Sequence, residues 1–154
     1  MDAKQMAPFL DALANIMPQL GFQEVRRSGL RIEEDKLSSK GVMVIIGLTE
    51  MLRGNIVYNF SLDTARAIAS TMMMGMPVPE LDDMAQSAIS ELGNMLAANA
   101  SILMEGQGVS MNISPPTLIV GESVQARIGA EKRLVVEMFV DSNLVEVDIA
   151  VDNA

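Results

Sequence analysis

Two apolar runs within residues 41–60, GVMVIIGLTEMLRGNIVYNF, predict a β-hairpin. The first run, Gly41–Leu48, is rich in Val and Ile and apolar on both faces, which is typical of a central strand. In the second run, Gly54–Phe60, apolar residues alternate with two asparagines, as in a strand with one buried face. Thr49–Arg53 is then predicted to form the turn that joins the two strands.

Helices are predicted on both sides of this hairpin. Upstream, the near-helical spacing of apolar residues predicts a helix over about Ala3–Leu20, which Gly21 would stop. Downstream, a helix capped by its first residue is predicted from Ser61 to about Met74. The longest helix should begin near Pro79–Glu80 and end near Glu105, before two glycines.

The remaining segments are predicted to be strands. A short strand with loops is expected in residues 22–40, and two strands separated by a Pro-Pro step are expected in Val109–Ser114 and Thr117–Val120. Leu134–Val140 and Leu144–Val151 are rich in β-formers and are joined by turn residues. In the last strand polar and apolar residues alternate, which predicts one buried and one solvent-facing side.

The order of these elements predicts a single α+β domain over residues 1–154. One sheet of about six largely antiparallel strands would carry long helices packed on it, and the repeated order of helices and strands indicates a weak internal duplication. No segment reaches the ~18–20 apolar residues of a membrane helix. The first residues, Met1–Gln5, lack a basic region followed by an apolar one, so we expect a cytoplasmic protein.

Composition excludes several classes of function. Of the 154 residues, 49% are hydrophobic and 20% charged, as in an ordinary globular protein. The chain has no Cys and no His, which excludes a thiolate nucleophile, an imidazole proton shuttle and metal sites built from those side chains. Eleven basic and twenty acidic residues give a net charge of −9, so nucleic acid and anionic membranes are poor partners.

A helical wheel of residues 81–104 separates a core face from a polar face. The predicted core face carries Leu81, Met84, Ala85, Ala88, Ile89, Leu92, Met95, Leu96, Ile102 and Leu103. The polar face carries Ser87, Glu91 and Asn94 at i, i+4 and i+7, above small residues that include Gly93. A second body could approach this face closely, but the spacing alone leaves open an ordinary polar outer face used for helix contacts.

The most specific motif reads SAISELGNM from Ser87 to Met95 and NISPPT from Asn112 to Thr117. These residues resemble the signature of the CheC/CheX/FliY family of bacterial chemotaxis phosphatases. In that signature an Asp or Ser precedes a Glu by four residues, an Asn follows three residues later, and a Pro lies downstream. The resemblance extends over about Asp2–Val151 and is greatest to the CheX members, which carry one copy of the motif.

This resemblance implies a phosphatase that acts on the aspartyl phosphate of a CheY-like response regulator in two-component signalling. Asn94 would hold the attacking water in line with the acyl-phosphate bond, Glu91 would pair with the regulator's active-site Lys, and Ser87 would support them. The phosphorylated receiver domain is thus the expected partner. It would carry Mg²⁺, and this chain would bind no cofactor or metal of its own.

Two other functions remain as alternatives. A non-catalytic adaptor or a flagellar-switch-like interaction module could share the fold, although an adaptor would not need the Glu91–Asn94 pair. A stand-alone metal hydrolase is the third, with no ligand constellation in the sequence to support it.

The resemblance also bears on self-association and on the first helix. Members that are similar to CheX pair through their sheets, which predicts a homodimer. Aligning Asn15 with Asn94 places Ala12 opposite Glu91, so the first helix is interpreted as a degenerate, inactive copy of the motif. The cluster Met72–Met74 and Met76 is expected to fill a core poor in aromatic residues rather than to form a binding surface.

Overall fold

The computed structural model describes residues 3–153 and consists of three helices and seven strands. The helices are α1 (Ala3–Ile16), α2 (Leu62–Met72) and α3 (Asp83–Glu105). The strands are β1 (Val25–Ser38), β2 (Gly41–Glu50), β3 (Leu52–Ser61), β4 (Met111–Ile113), β5 (Thr117–Val120), β6 (Gln125–Val140) and β7 (Asn143–Asn153).

All seven strands form one antiparallel sheet in the order β1-β6-β7-β3-β2-β4, and β5 pairs with β2 next to β4. One sheet face shares an apolar core with all three helices, in which Leu13, Ile68 and Ile89 meet Val44 and Tyr58. The α+β class and the antiparallel sheet are therefore confirmed, with seven strands where about six were expected.

The predicted hairpin is the β2–β3 pair. Its register places Val42 opposite Phe60 and Leu48 opposite Gly54. The strands extend further than predicted, so that only Met51 separates them, and Glu50 adopts a left-handed conformation with φ of 84° to make the turn. Apolar side chains on both faces of β2 are buried, as its composition predicts.

The helix ends follow local sequence signals. The Ser61 side chain caps α2 by accepting a hydrogen bond of 3.1 Å from the Thr64 N–H. The first helix ends at Ile16 and continues as one 3₁₀ turn, Met17–Leu20, which Gly21 terminates with a φ of 108°. The expected core position is wrong for Met74 and Met76, which are exposed, while Met72 packs against the core.

The prediction of a short strand with loops in residues 22–40 is wrong, because β1 runs for 14 residues. Several of its charged side chains pair with charged residues of the neighbouring strands, while others are exposed. Arg31 donates hydrogen bonds to Glu137 at 2.8 Å and to Glu146 at 3.0 Å. The far ends of β1 and β6 pair with each other and place Leu37 and Ile128 over the face of the sheet opposite the helices.

This covering layer also overturns the predicted solvent-facing side of β7. Glu146 and Asp148 are both buried. Arg133, also buried, donates a hydrogen bond of 3.0 Å to Asp148, whose second carboxylate oxygen has no partner among the described residues. Burial, together with the nearby Glu146 carboxylate, raises the pKa of Asp148 to about 8 despite Arg133.

Candidate functional site

Helix α3 carries Glu91 and Asn94, the polar pair of the candidate site, and its first turn differs from the prediction. Asp82 is the N-cap residue, and its carboxylate accepts a hydrogen bond of 2.9 Å from the Ala85 N–H. Pro79 is not the first helical residue, because it lies in the preceding segment, where its carbonyl accepts a hydrogen bond from Arg66. The helix ends at Glu105, as predicted.

The core face of α3 is rotated relative to the predicted one. Gly93 faces strand β2, and a Cβ atom on it would lie 2.6 Å from Cγ1 of Val44. Ala97 is fully buried, while Met84 and Ile102, which were assigned to the core, are exposed. The small residue Gly93 therefore serves close packing of the helix on the sheet rather than the approach of a second body.

Glu91 and Asn94 nevertheless lie on the outer face, as predicted. Ser87 and Glu91 are exposed and Asn94 is half-buried. Neither Glu91 nor Asn94 has a hydrogen-bond or ion-pair partner for its side chain among residues 3–153. The carboxylate and the carboxamide are thus free to bind groups that this chain does not supply.

The Pro115-Pro116 step forms the opposite wall of the site. Strands β4 and β5 both pair with β2, and the segment between them bends away from it. Ser114 fixes this bend, since its N–H donates to the Gly47 carbonyl and its hydroxyl accepts from the Gly47 N–H, both at 2.8 Å. The same hydroxyl donates to the Pro115 carbonyl at 3.0 Å.

Between α3 and this wall lies an open groove of about 810 Å³. Its lining brings the two halves of the sequence motif together: Asp83, Gln86, Ser87, Ser90, Glu91, Asn94, Ile113, Ser114, Pro115, Pro116 and Leu118. The sequence placed Ser90 on the polar face of the helix without giving it a role, and it did not single out Gln86 or Ser114. Ser114 lies within the NISPPT motif, but its contact with Gly47 depends on strand pairing that the motif does not reveal.

The degenerate motif of α1 lies elsewhere. Asn15 is exposed and donates a hydrogen bond of 3.3 Å to Asn99 of α3, and Ala12, the counterpart of Glu91, is fully buried. No group of three or more His, Cys, Asp or Glu side chains within residues 3–153 is arranged to hold a metal ion. None of the helices in that range is long and apolar enough to cross a membrane.

The fold and this site define an α+β domain that offers an unpaired carboxylate and carboxamide from one helix, beside an open groove, to another molecule. The chain belongs to the CheX family, because the family model described as chemotaxis phosphatase CheX matches residues 42–139. That range contains the whole motif from Ser87 to Thr117, so the resemblance is confirmed.

Individual relatives agree with this assignment. The CheY-P phosphatase CheX of Thermotoga maritima is 36% identical over 99 residues, which cover 64% of this chain and 64% of that protein. A CheC-like superfamily protein from Shewanella sp. PV-4 shares the fold, with a TM-score of 0.88, 19% identity and coverage of 99% of this chain and 100% of that one. The CheX-CheY-BeF3-Mg²⁺ complex from Borrelia burgdorferi matches with a TM-score of 0.80 and 28% identity, covering 97% of this chain and 98% of that one.

Proposed function

We propose that this protein hydrolyses the aspartyl phosphate of a CheY-like response regulator. Asn94 would position the attacking water and Glu91 would bind the regulator's active-site Lys. One observation carries the proposal. The side chains of Glu91 and Asn94 have no bonding partner among residues 3–153, and they lie on the outer face of α3 beside a groove that can accept part of another protein. Membership of the family and the relative named as a CheY-P phosphatase support the same activity.

In the proposed reaction, a water oxygen attacks the phosphorus atom and the bond between phosphorus and the aspartyl oxygen breaks. The aspartate leaves as a carboxylate, and the hydrogens of the water remain with the inorganic phosphate. Phosphoryl transfer through a loose transition state depends on positioning and electrostatics more than on covalent chemistry. A carboxamide suits this role, because it both donates and accepts hydrogen bonds and does not titrate.

The other groups of the site would support this geometry. Glu91, one helical turn before Asn94, would fix the register of the two proteins through a charge-assisted hydrogen bond to the Lys. Ser87 lies one turn further back and would orient Glu91. We propose that Mg²⁺ is bound by the regulator and not by this chain, as the resemblance implies. A Borrelia burgdorferi complex that contains CheX, CheY, BeF3 and Mg²⁺ supports a partner that uses this ion.

The test is the decay of phosphorylated receiver domains, using a panel of purified CheY-like receivers phosphorylated by a small acyl phosphate. The wild-type protein should accelerate the decay of at least one, and Asn94→Ala should reduce kcat by about 100-fold or more, as loss of a transition-state contact does. Asn99→Ala is the matched control, since Asn99 lies on the same helix but bonds to Asn15. If no receiver decays faster with the wild-type protein, the proposal is wrong.

The alternative function, a non-catalytic adaptor or flagellar-switch-like module, predicts a different pattern. Such a module would bind a receiver stably without turnover, and Asn94→Ala would leave the binding unchanged. Glu91→Ala distinguishes the phosphatase from the non-catalytic module further, because in a phosphatase it should raise KM and lower kcat. The control is Glu105→Ala, at the exposed end of the same helix, which should change neither.

We further propose that the protein acts in the cytoplasm as a homodimer paired through β1, whose outer edge has no partner among residues 3–153. Arg26 and Arg27 lie near the start of β1, and Glu33 and Glu34 lie near its end. Antiparallel pairing of two copies about Leu30 would therefore place basic residues opposite acidic ones. Light scattering should give twice the mass of one chain, and Ile32→Lys, a charge on an exposed apolar edge position, should give monomers.

A further inference from the structure

We propose that Met84 and Ile102 are apolar anchors through which α3 binds the phosphorylated receiver domain, one on each side of the Glu91–Asn94 pair along the helix. This inference rests on the proposed function. It concerns how the substrate protein is held rather than how its phosphate is hydrolysed, so it assigns two residues outside the sequence motif to the docking surface.

Both residues share the helix face of the polar pair. At 100° per residue, with Ser87 at zero, Met84 and Ile102 fall at about 60°, Glu91 at about 40° and Asn94 at about 340°. The groove lies on the other side, where Ser90 is at about 300°. The two apolar residues therefore flank Glu91 on the side away from the Pro115-Pro116 wall, and a partner seated on the pair would cover both.

Their exposure is unusual for this helix. Met84 is 64% and Ile102 is 65% exposed, whereas the other large apolar residues of α3 are buried or half-buried. Between these two positions Glu91 is the only charged residue. A solvent-facing helix normally carries several Lys, Arg or Glu residues, and apolar side chains around a few polar groups are typical of a protein–protein contact.

The distance between the two residues fits one compact domain. Eighteen residues of α-helix separate them, which is about 27 Å at 1.5 Å per residue. A domain of 100 residues has a radius of gyration of about 13 Å and is roughly 34 Å across, so a single receiver domain can reach both. The residues between them on this face, such as Ser87 and Ala98, are small and leave room for that contact.

Charge favours a receiver over a second copy of this chain. The midpoint of Met84 and Ile102 is residue 93, so two antiparallel copies of α3 paired through this face would bring their Glu91 carboxylates close together. Like charges in a partly desolvated contact are destabilising. A receiver would instead offer its active-site Lys to Glu91, which satisfies the one charge on the face.

The experiment measures KM and kcat for Met84→Gln, Ile102→Gln and the double variant, on the receiver that the wild-type protein dephosphorylates fastest. Both substitutions are on the surface and keep helix propensity, and circular dichroism checks that all three variants fold. Each single variant should raise KM about fivefold to tenfold while kcat stays within twofold, which is the reverse of Asn94→Ala. Met74→Gln is the matched control, because Met74 is 97% exposed but lies after α2.

Three results would overturn the inference. If the double variant keeps KM within twofold of wild type while wild type is active, the docking role is wrong and the proposed function stands. If the variants change the oligomeric mass and leave KM unaltered, the face binds a second copy. If wild type accelerates the decay of no receiver, the proposed function and this inference are both wrong.

Discussion

Gly93→Ala should reduce activity far more than stability, although Gly93 contacts no substrate. The new Cβ atom would lie 2.6 Å from Cγ1 of Val44 and 3.4 Å from its Cβ. Carbon atoms in contact are normally about 3.5–4.0 Å apart, so the overlap is about 1 Å. Val44 is β-branched and buried, which restricts its side chain, so the helix itself must move away from β2 by a similar distance.

The expected effect on folding is small because two terms oppose each other. Overpacking costs about 1–3 kcal/mol, and replacing a mid-helix Gly by Ala returns about 1 kcal/mol. The net loss in the free energy of unfolding should thus be about 0–2 kcal/mol, measured by urea denaturation. Catalysis is more sensitive, since a displacement of about 1 Å at groups that position a water can reduce kcat by about 100-fold.

Val44→Ala provides the internal control for this reasoning. It removes the atoms that collide with the new methyl group, so the double variant Gly93→Ala/Val44→Ala should recover most of the lost phosphatase activity. The double variant should be about 1–2 kcal/mol more stable than the sum of the two single changes in the free energy of unfolding predicts. Wild-type activity in Gly93→Ala, or no recovery in the double variant, would refute the view that this close approach sets the position of Asn94.

Three further changes test other parts of the structure. Tyr58→Phe should raise the free energy of unfolding by about 1 kcal/mol in urea titrations, because the buried Tyr58 hydroxyl has no partner among the described residues. Asp148 has a raised pKa of about 8, so between about pH 4 and 8 the folded state binds more protons than the unfolded chain. The free energy of unfolding should therefore fall as pH rises through that range. Asp148→Asn should flatten the dependence of Tm on pH there. Ser114→Ala removes the hydroxyl oxygen that accepts the hydrogen bond from the Gly47 N–H, and should cost about 1 kcal/mol of stability and raise KM for the receiver.

Local signals in the sequence were sufficient for the hairpin, the cap at Ser61 and the end of α3. Each depends on residues within a few positions of one another, such as the hydroxyl of Ser61 and the N–H of Thr64. The length of β1 and the burial of β7 were not predictable in this way. They depend on pairing between residues about 90–115 positions apart, which converts a run of charges into an ion-paired, partly buried strand.

In the candidate site, too, local sequence signals predict some features correctly and others not. Helical periodicity places Glu91 and Asn94 on the outer face, and the structure agrees. Hydrophobicity alone put Met84 and Ile102 in the core, whereas the smallest residue of the helix, Gly93, marks where it touches the sheet. The smallest residues of α3, rather than the most apolar ones, indicate which face of the helix touches the sheet. This is because a helix can approach a sheet closely only where it lacks a side chain.

The two edges of the sheet differ greatly in length, and this limits how many copies can assemble. One edge is the 14-residue β1, and the other is divided by Pro115-Pro116 into strands of three and four residues. In the proposed dimer, pairing through β1 would use the single long edge of both copies, and the divided edge is too short to accept another strand. Growth would then stop at two copies, which would protect the molecule against the open-ended strand addition that leads to fibres.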